Sequence, residues 1–168
     1  MGSVISNRPK LFLHNHSTLT MSELHFQPIK GRAREIVKTL LQTPEISSCS
    51  MRDTLVLRLA CEEIVMNVTS YAYPEQSDGY LDVAIDKSDN RVVICFKDGG
   101  VPFNPLERPA PDTKLSWKRR RIGGLGIFLV IKKMDDVRYA YVDNKNVLTV
   151  EKIIVPKKTP NTSNTSNT

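Results

Sequence analysis

The stretch LACEEIVMNVTSYAY, residues 59–73, decides how the rest of the chain is read. From 51 to 71 there is neither glycine nor proline, and Leu55, Leu59, Ala60, Ile64, Val68 and Tyr71 recur at helical spacings. That period predicts one long helix over 51–71 with an apolar stripe turned to a core. Ser50 is a suitable N-cap, and Pro74 with the polar run 75–79 makes the exit loop.

Within this helix Glu63 and Asn67 stand four residues apart, on one side and about one turn apart. Asn67 lies between Ile64 and Val68, where a neutral amide has no packing advantage and needs partners if buried. Its amide oxygen can ligate magnesium, whose preference for oxygen also suits a triphosphate. Glu63 can orient or deprotonate a hydroxyl or a water. Glu62 points roughly 100° away from Glu63 and cannot share its role. By spacing alone, the pair also fits an ordinary polar helix edge.

Upstream, Lys10 to His14 reads as a short strand, and Pro28 opens a helical pattern carrying Ile29, Ala33, Ile36, Val37, Leu40 and Leu41. Pro44 and Ser47-Ser48 end that helix. Downstream, residues 80–85 and 91–96 alternate as strands, with a turn at Asp89-Asn90. Four prolines (102, 105, 109 and 111) and a cluster of Lys114, Lys118, Arg119, Arg120 and Arg121 fill a long connection up to Gly123. Loops of that length in compact domains usually serve a function. A helix then runs from near Gly124 through Ile127, Val130, Ile131 and Met134, and strands over 137–142 and 147–154, joined through the turn Asp143-Asn144-Lys145-Asn146, close the chain. This order predicts an α+β two-layer sandwich, a mixed, mostly antiparallel sheet covered on one face by helices. The expected division is a 1–27 N-terminal segment with the short strand, a 28–155 domain and a 156–168 tail, whose Asn-Thr-Ser repeats predict disorder.

Two glycine turns are candidate contacts. Asp98 ends an apolar strand and meets Gly99-Gly100; a carboxylate there can accept from the exocyclic amine of a base, and Gly100 lets a base lie close to backbone. Gly123, Gly124 and Gly126 precede the helical run from Ile127, where exposed N–H groups and the helix dipole favour phosphate. Either turn, alone, is equally compatible with a purely structural role.

At 168 residues the chain suits one core. No segment reaches the roughly eighteen apolar residues of a membrane span, and MGSVISNRPK lacks the apolar core of a secretory signal, so no membrane contact and a cytoplasmic location are expected. Cys49, Cys61 and Cys95 form no close pair, and His14, His16 and His25 have no cysteine beside them, which argues against zinc. The net charge of +6 is partly local and lacks aromatic interleaving, so nucleic acid is not expected as a direct ligand.

The ordered set resembles the GHKL, or Bergerat-fold, ATP-binding superfamily, and within it the anti-sigma-factor serine/threonine kinase group. Residues 59–73 resemble the family's N box, DGGVPFNP at 98–105 the next box, and RIGGLGIFLVIKKM at 121–134 the glycine-rich phosphate box. Similarity covers roughly 28–154. The resemblance implies ATP and Mg2+ as cofactors, Glu63 as general base, Asn67 on magnesium, Asp98 on the adenine amine with Gly100 beside the base, Gly123, Gly124 and Gly126 around phosphate, and Thr149 near the adenine side. One of residues 118–121 would contact the terminal phosphate, with no choice among them. The group's activity is transfer of the γ-phosphate to a small antagonist protein; its partners are that protein and a sigma factor, and a first strand often supports dimer formation in the family, so the resemblance implies a homodimer. The alternative is an ATP-binding interaction switch, or a weak ATPase, of the same fold. Val101-Pro102 departs from a further glycine common in the wider superfamily, and the start before Pro28 does not clearly resemble the usual first strand.

Overall fold

The computed structural model describes residues 12–14, 17–75, 77–107 and 125–155. Six strands form one sheet: β1 (Phe12–His14), β2 (Ser17–Phe26), β3 (Leu81–Ser88), β4 (Arg91–Asp98), β5 (Asp136–Val142) and β6 (Lys145–Ile153). Their order is β1-β2-β3-β4-β6-β5, and every ladder is antiparallel, so the parallel pairing of a mixed sheet does not occur among the described strands.

The hairpins follow from turn chemistry. Asp143 and Asn144 both take positive φ, 51° and 58°, which a two-residue turn matching strand twist requires. Along β3, β4 and β6 the buried residues alternate: Leu81, Val83 and Ile85; Val92, Ile94 and Phe96; Leu148 and Val150. These side chains share one core with the helices α1 (Ala33–Leu41), α2 (Pro44–Ser47), α3 (Met51–Asn67) and α4 (Leu125–Lys133). The two-layer sandwich is therefore the architecture.

Two details at the start of the chain differ from the sequence-based expectation. β2 is a full member of the sheet, paired with β3 from Thr20 opposite Lys87 to Phe26 opposite Leu81, so the folded unit includes residues ahead of Pro28. Its inward positions are Ser22, Leu24 and Phe26; the buried Ser22 hydroxyl, which donates to the Glu45 carboxylate at 2.8 Å, interrupts the apolar alternation that would have marked a strand. The first helix starts at Ala33, five residues after Pro28.

On α3, the buried side is Leu57, Ala60, Cys61, Ile64 and Val65, while Leu55 and Tyr71 are exposed, 59% and 74%. The segment is apolar on more than one side, and the sheet and α1 choose which side is covered. Ser50 caps α3 as expected: its hydroxyl accepts from the Asp53 N–H at 3.1 Å. Burial pushes the Cys61 thiol up to about 12, so it packs as a small apolar group. No described helix is long and apolar enough to cross a membrane. The tail from 156 lies outside the described residues.

Candidate functional site

Of the predicted residues, Asn67 and Asp98 line a cavity of about 370 Å³ between the end of α3, the ends of β4 and β6, and α4. Ile64, Phe96, Ile127 and Leu148 make its apolar walls, while Asn67, Asp98, Tyr139 and Asn146 supply polar groups. Such a cavity, mostly apolar with a few convergent polar groups, suits an aromatic base.

α3 continues into a single π-helical turn, Val68–Ala72, and turns of this kind often mark functional sites. The Ala72 carbonyl at its end accepts from the Val101 N–H at 2.8 Å, joining the helix terminus to the loop after β4. Gly100 sits in this joint. A Cβ there would lie 2.3 Å from the Ala72 carbonyl oxygen, so the glycine is required by backbone packing against α3, and Gly100 is not part of the cavity lining. Tyr73 adds a second strut: its hydroxyl donates to the Tyr80 carbonyl at 2.7 Å and accepts from the Gly99 N–H at 2.8 Å.

Asp98 is 5% exposed, and its two oxygens have different duties. Oδ1 accepts from the Gly100 N–H and from Asn146 Nδ2, both at 2.9 Å. Oδ2 has no hydrogen-bond partner among the described residues, which leaves an acceptor at the cavity. Burial pushes the Asp98 carboxyl above its ordinary pKa, and the donors from Asn146 and Gly100 oppose that shift.

Asn146 is the site residue that sequence reasoning missed, because Asp143-Asn144-Lys145-Asn146 reads as a turn. It stands opposite Asp98 across β4 and β6. Nδ2 reaches Asp98 and the Val101 carbonyl (3.0 Å), while Oδ1 accepts from the Phe103 N–H (3.0 Å) and the Tyr139 hydroxyl (2.7 Å). One buried amide thus holds both the carboxylate and the loop beside it. The available signal was parity: Asn146, Leu148 and Val150 are the buried set on β6. The same parity puts Thr149 on the opposite sheet face, across from Cys95 and Arg138, and Leu148 lines the cavity instead. The adenine-side position expected of Thr149 is corrected accordingly.

Asn67 lines the cavity with Ile64 and Val68, and its amide has no hydrogen-bond partner among the described residues. Glu63 does not line it. Its carboxylate lies against Gly126 in the first turn of α4, where an added Cβ would stand 1.6 Å from Glu63 Oε2. α3 and the first turn of α4 therefore meet at Glu63, near the positive end of the α4 dipole. Gly123, Gly124 and the basic run 118–121 lie outside the described residues.

This arrangement of a helix bearing Glu63 and Asn67, a strand ending at Asp98 and a glycine-led helix coincides with the histidine kinase-like ATPase domain model, which matches residues 27–152. The chain belongs to that family. The GHKL resemblance, with its anti-sigma-factor kinase group, stands. The family member is similar to the serine-protein kinase RsbW of Listeria monocytogenes, 28% identical over 96 residues that cover 55% of this chain and 61% of the relative. It is 27% identical to RsbW of Listeria innocua over the same shares, and 28% identical to RsbW of Oceanobacillus iheyensis over 87 residues, 49% of this chain and 54% of the relative. The match spans 54% to 61% of these relatives' length.

Proposed function

We propose that the chain is an ATP-dependent serine/threonine kinase of anti-sigma-factor type, which phosphorylates a small antagonist protein and alternates between it and a sigma factor. The observation that carries the reading is the meeting of two uncommitted groups at one cavity, the open Asp98 Oδ2 and the Asn67 amide, with the Glu63 carboxylate one helical turn from Asn67 and against the start of α4. Asp98 would accept from the adenine amine, and Asn67 would complete the coordination of magnesium. No group of three or more His, Cys, Asp or Glu among the described residues is placed to hold a metal, which fits an ion carried mainly by phosphate oxygens. ATP supplies the phosphoryl group and magnesium the positive charge that screens it.

In this reading Glu63 accepts the proton of the acceptor hydroxyl as the hydroxyl oxygen bonds to the γ-phosphorus and the bond to the ADP oxygen breaks. The N–H groups at the start of α4, with one basic residue of 118–121, would hold the phosphates, with Gly123 and Gly124 leading into that turn. A homodimer and a cytoplasmic setting belong to the same proposal. A second reading, an ATP-binding switch or weak ATPase without an acceptor, is favoured by Glu63 lying outside the cavity lining. Labelled ATP with proteins of the source cells separates them. Glu63→Gln should keep ATP binding and lose label transfer, and Asn67→Ala should weaken binding only when magnesium is present. Undiminished transfer by Glu63→Gln refutes its role as base.

A further inference from the structure

Asn146 is buried at the start of β6, and a side-chain amide has two N–H bonds to give and two lone pairs to receive. Every one of them is used inside the protein. Oδ1 accepts from the Phe103 N–H at 3.0 Å and from the Tyr139 hydroxyl at 2.7 Å. Nδ2 donates to the Val101 carbonyl at 3.0 Å and to Asp98 Oδ1 at 2.9 Å. The amide is saturated, so it acts on a bound base only through Asp98.

Two of these partners are backbone groups whose polarity is fixed: the Phe103 N–H only donates, and the Val101 carbonyl only accepts. Turning the amide over would set N–H against N–H and oxygen against oxygen in a buried place, so it is held one way round, with an N–H toward Asp98. Burial pushes the Tyr139 hydroxyl above its ordinary pKa, which keeps it protonated and donating to the same Oδ1. Asp98 Oδ1 in turn receives two donors, Asn146 Nδ2 and the Gly100 N–H, which leaves no place on that oxygen for a proton. Both donors favour the charged carboxylate against the desolvation that opposes it. The polarity of the loop backbone is thereby relayed through Asn146 to Oδ2, which meets the cavity as an acceptor. A purine with an exocyclic amine at that edge presents an N–H to it. One with a carbonyl there sets acceptor against acceptor, the kind of mismatch a buried polar site rejects strongly.

We propose that Asn146 is the positioning residue that sets base selectivity: held one way round by Phe103 and Val101, it keeps Asp98 an acceptor, so that an amino-purine nucleotide is chosen over an oxo-purine one. The inference rests on the ATP-binding reading of the cavity above. Its test titrates the full chain calorimetrically, in magnesium, with ATP and with inosine triphosphate. The readout is the ratio of the two affinities, which a general loosening of the site does not move. Asn146→Leu, close in size and without a donor, should lower the preference for ATP about fivefold or more, because a protonated Asp98 can donate to the carbonyl of the other base. Asn146→Asp keeps the acceptor for Phe103 and replaces only the donor; the two facing carboxyl groups must then share a proton, and the preference should fall likewise. Tyr73→Phe cuts the other strut of the same loop and lies outside the cavity lining, so it should weaken both nucleotides alike and leave the ratio unchanged. A wild-type ratio in both Asn146 variants overturns the inference alone, as does an equal fall of the ratio in Tyr73→Phe. If wild type binds neither nucleotide, or binds both equally, the reading of the cavity fails and this inference with it.

Discussion

Replacing Asp98 by asparagine separates nucleotide recognition from folding. The new amide oxygen can keep both internal donors, the Gly100 N–H and Asn146 Nδ2 at 2.9 Å, while its NH2 group takes the place of Oδ2 at the cavity. An acceptor facing the base becomes a donor. Loss of a charge-assisted hydrogen bond costs about 1.5–3 kcal/mol, so ATP affinity should fall by roughly 10- to 150-fold. Inosine triphosphate, with a carbonyl in place of the amine, should lose far less or gain. Calorimetric titration of both nucleotides measures the ratio, and an unchanged preference for ATP refutes the assignment of Oδ2 to the base.

Stability should move the other way. Because burial raises the folded-state pKa of Asp98, the folded chain binds more protons than the unfolded one between the ordinary carboxylate pKa and the raised value. This contribution to stability is therefore lost as pH rises through that window, and at neutral pH the buried charge is a cost. A neutral amide at the same position carries no such cost, so Asp98→Asn should equal or exceed wild type in thermal stability at pH 7. The difference should shrink as pH falls below the ordinary carboxylate range. A variant that is less stable at pH 7 than at acid pH, relative to wild type, contradicts the argument.

Asn146→Ala removes the side-chain donor to Asp98 and the acceptor of the Phe103 N–H together, and should cost about 2–4 kcal/mol in denaturant unfolding, with weaker ATP binding. A loss below about 0.5 kcal/mol would show that the amide is not holding the loop. The two glycines should respond differently to alanine. At Gly126 the obstacle is the end of the Glu63 side chain, which can move, and the helix gains up to about 1 kcal/mol in propensity. Gly126→Ala should thus fold as well as wild type while transfer falls. At Gly100 the obstacle is the Ala72 backbone carbonyl, so Gly100→Ala should lose about 1–3 kcal/mol and ATP binding together. Equal thermal stability of the two variants would count against this contrast.

The residues themselves determined what is local. Alternation in β3 and β4, the Asp143-Asn144 turn, the Ser50 cap and the glycine-led α4 could all be read along the chain, because each depends on neighbours within a few positions. The ordered run of Glu63, Asn67, Asp98 and the glycine turn likewise pointed to a nucleotide site before any contact was known. Tertiary structure decided which sides were used. β2 escapes the pattern because its inward Ser22 is tolerable only where Glu45 accepts from it. Leu55, Val56, Leu57 and Leu59 offer α3 more than one apolar face, and only packing on α1 and the sheet leaves Leu55 outside and Leu57 inside. Register across β4 and β6 turned Asn146 from a turn residue into the partner of Asp98, and strand parity sent Thr149 to the far face. Spacing fixes which residues share a side of an element, but burial of that side depends on what is packed against it.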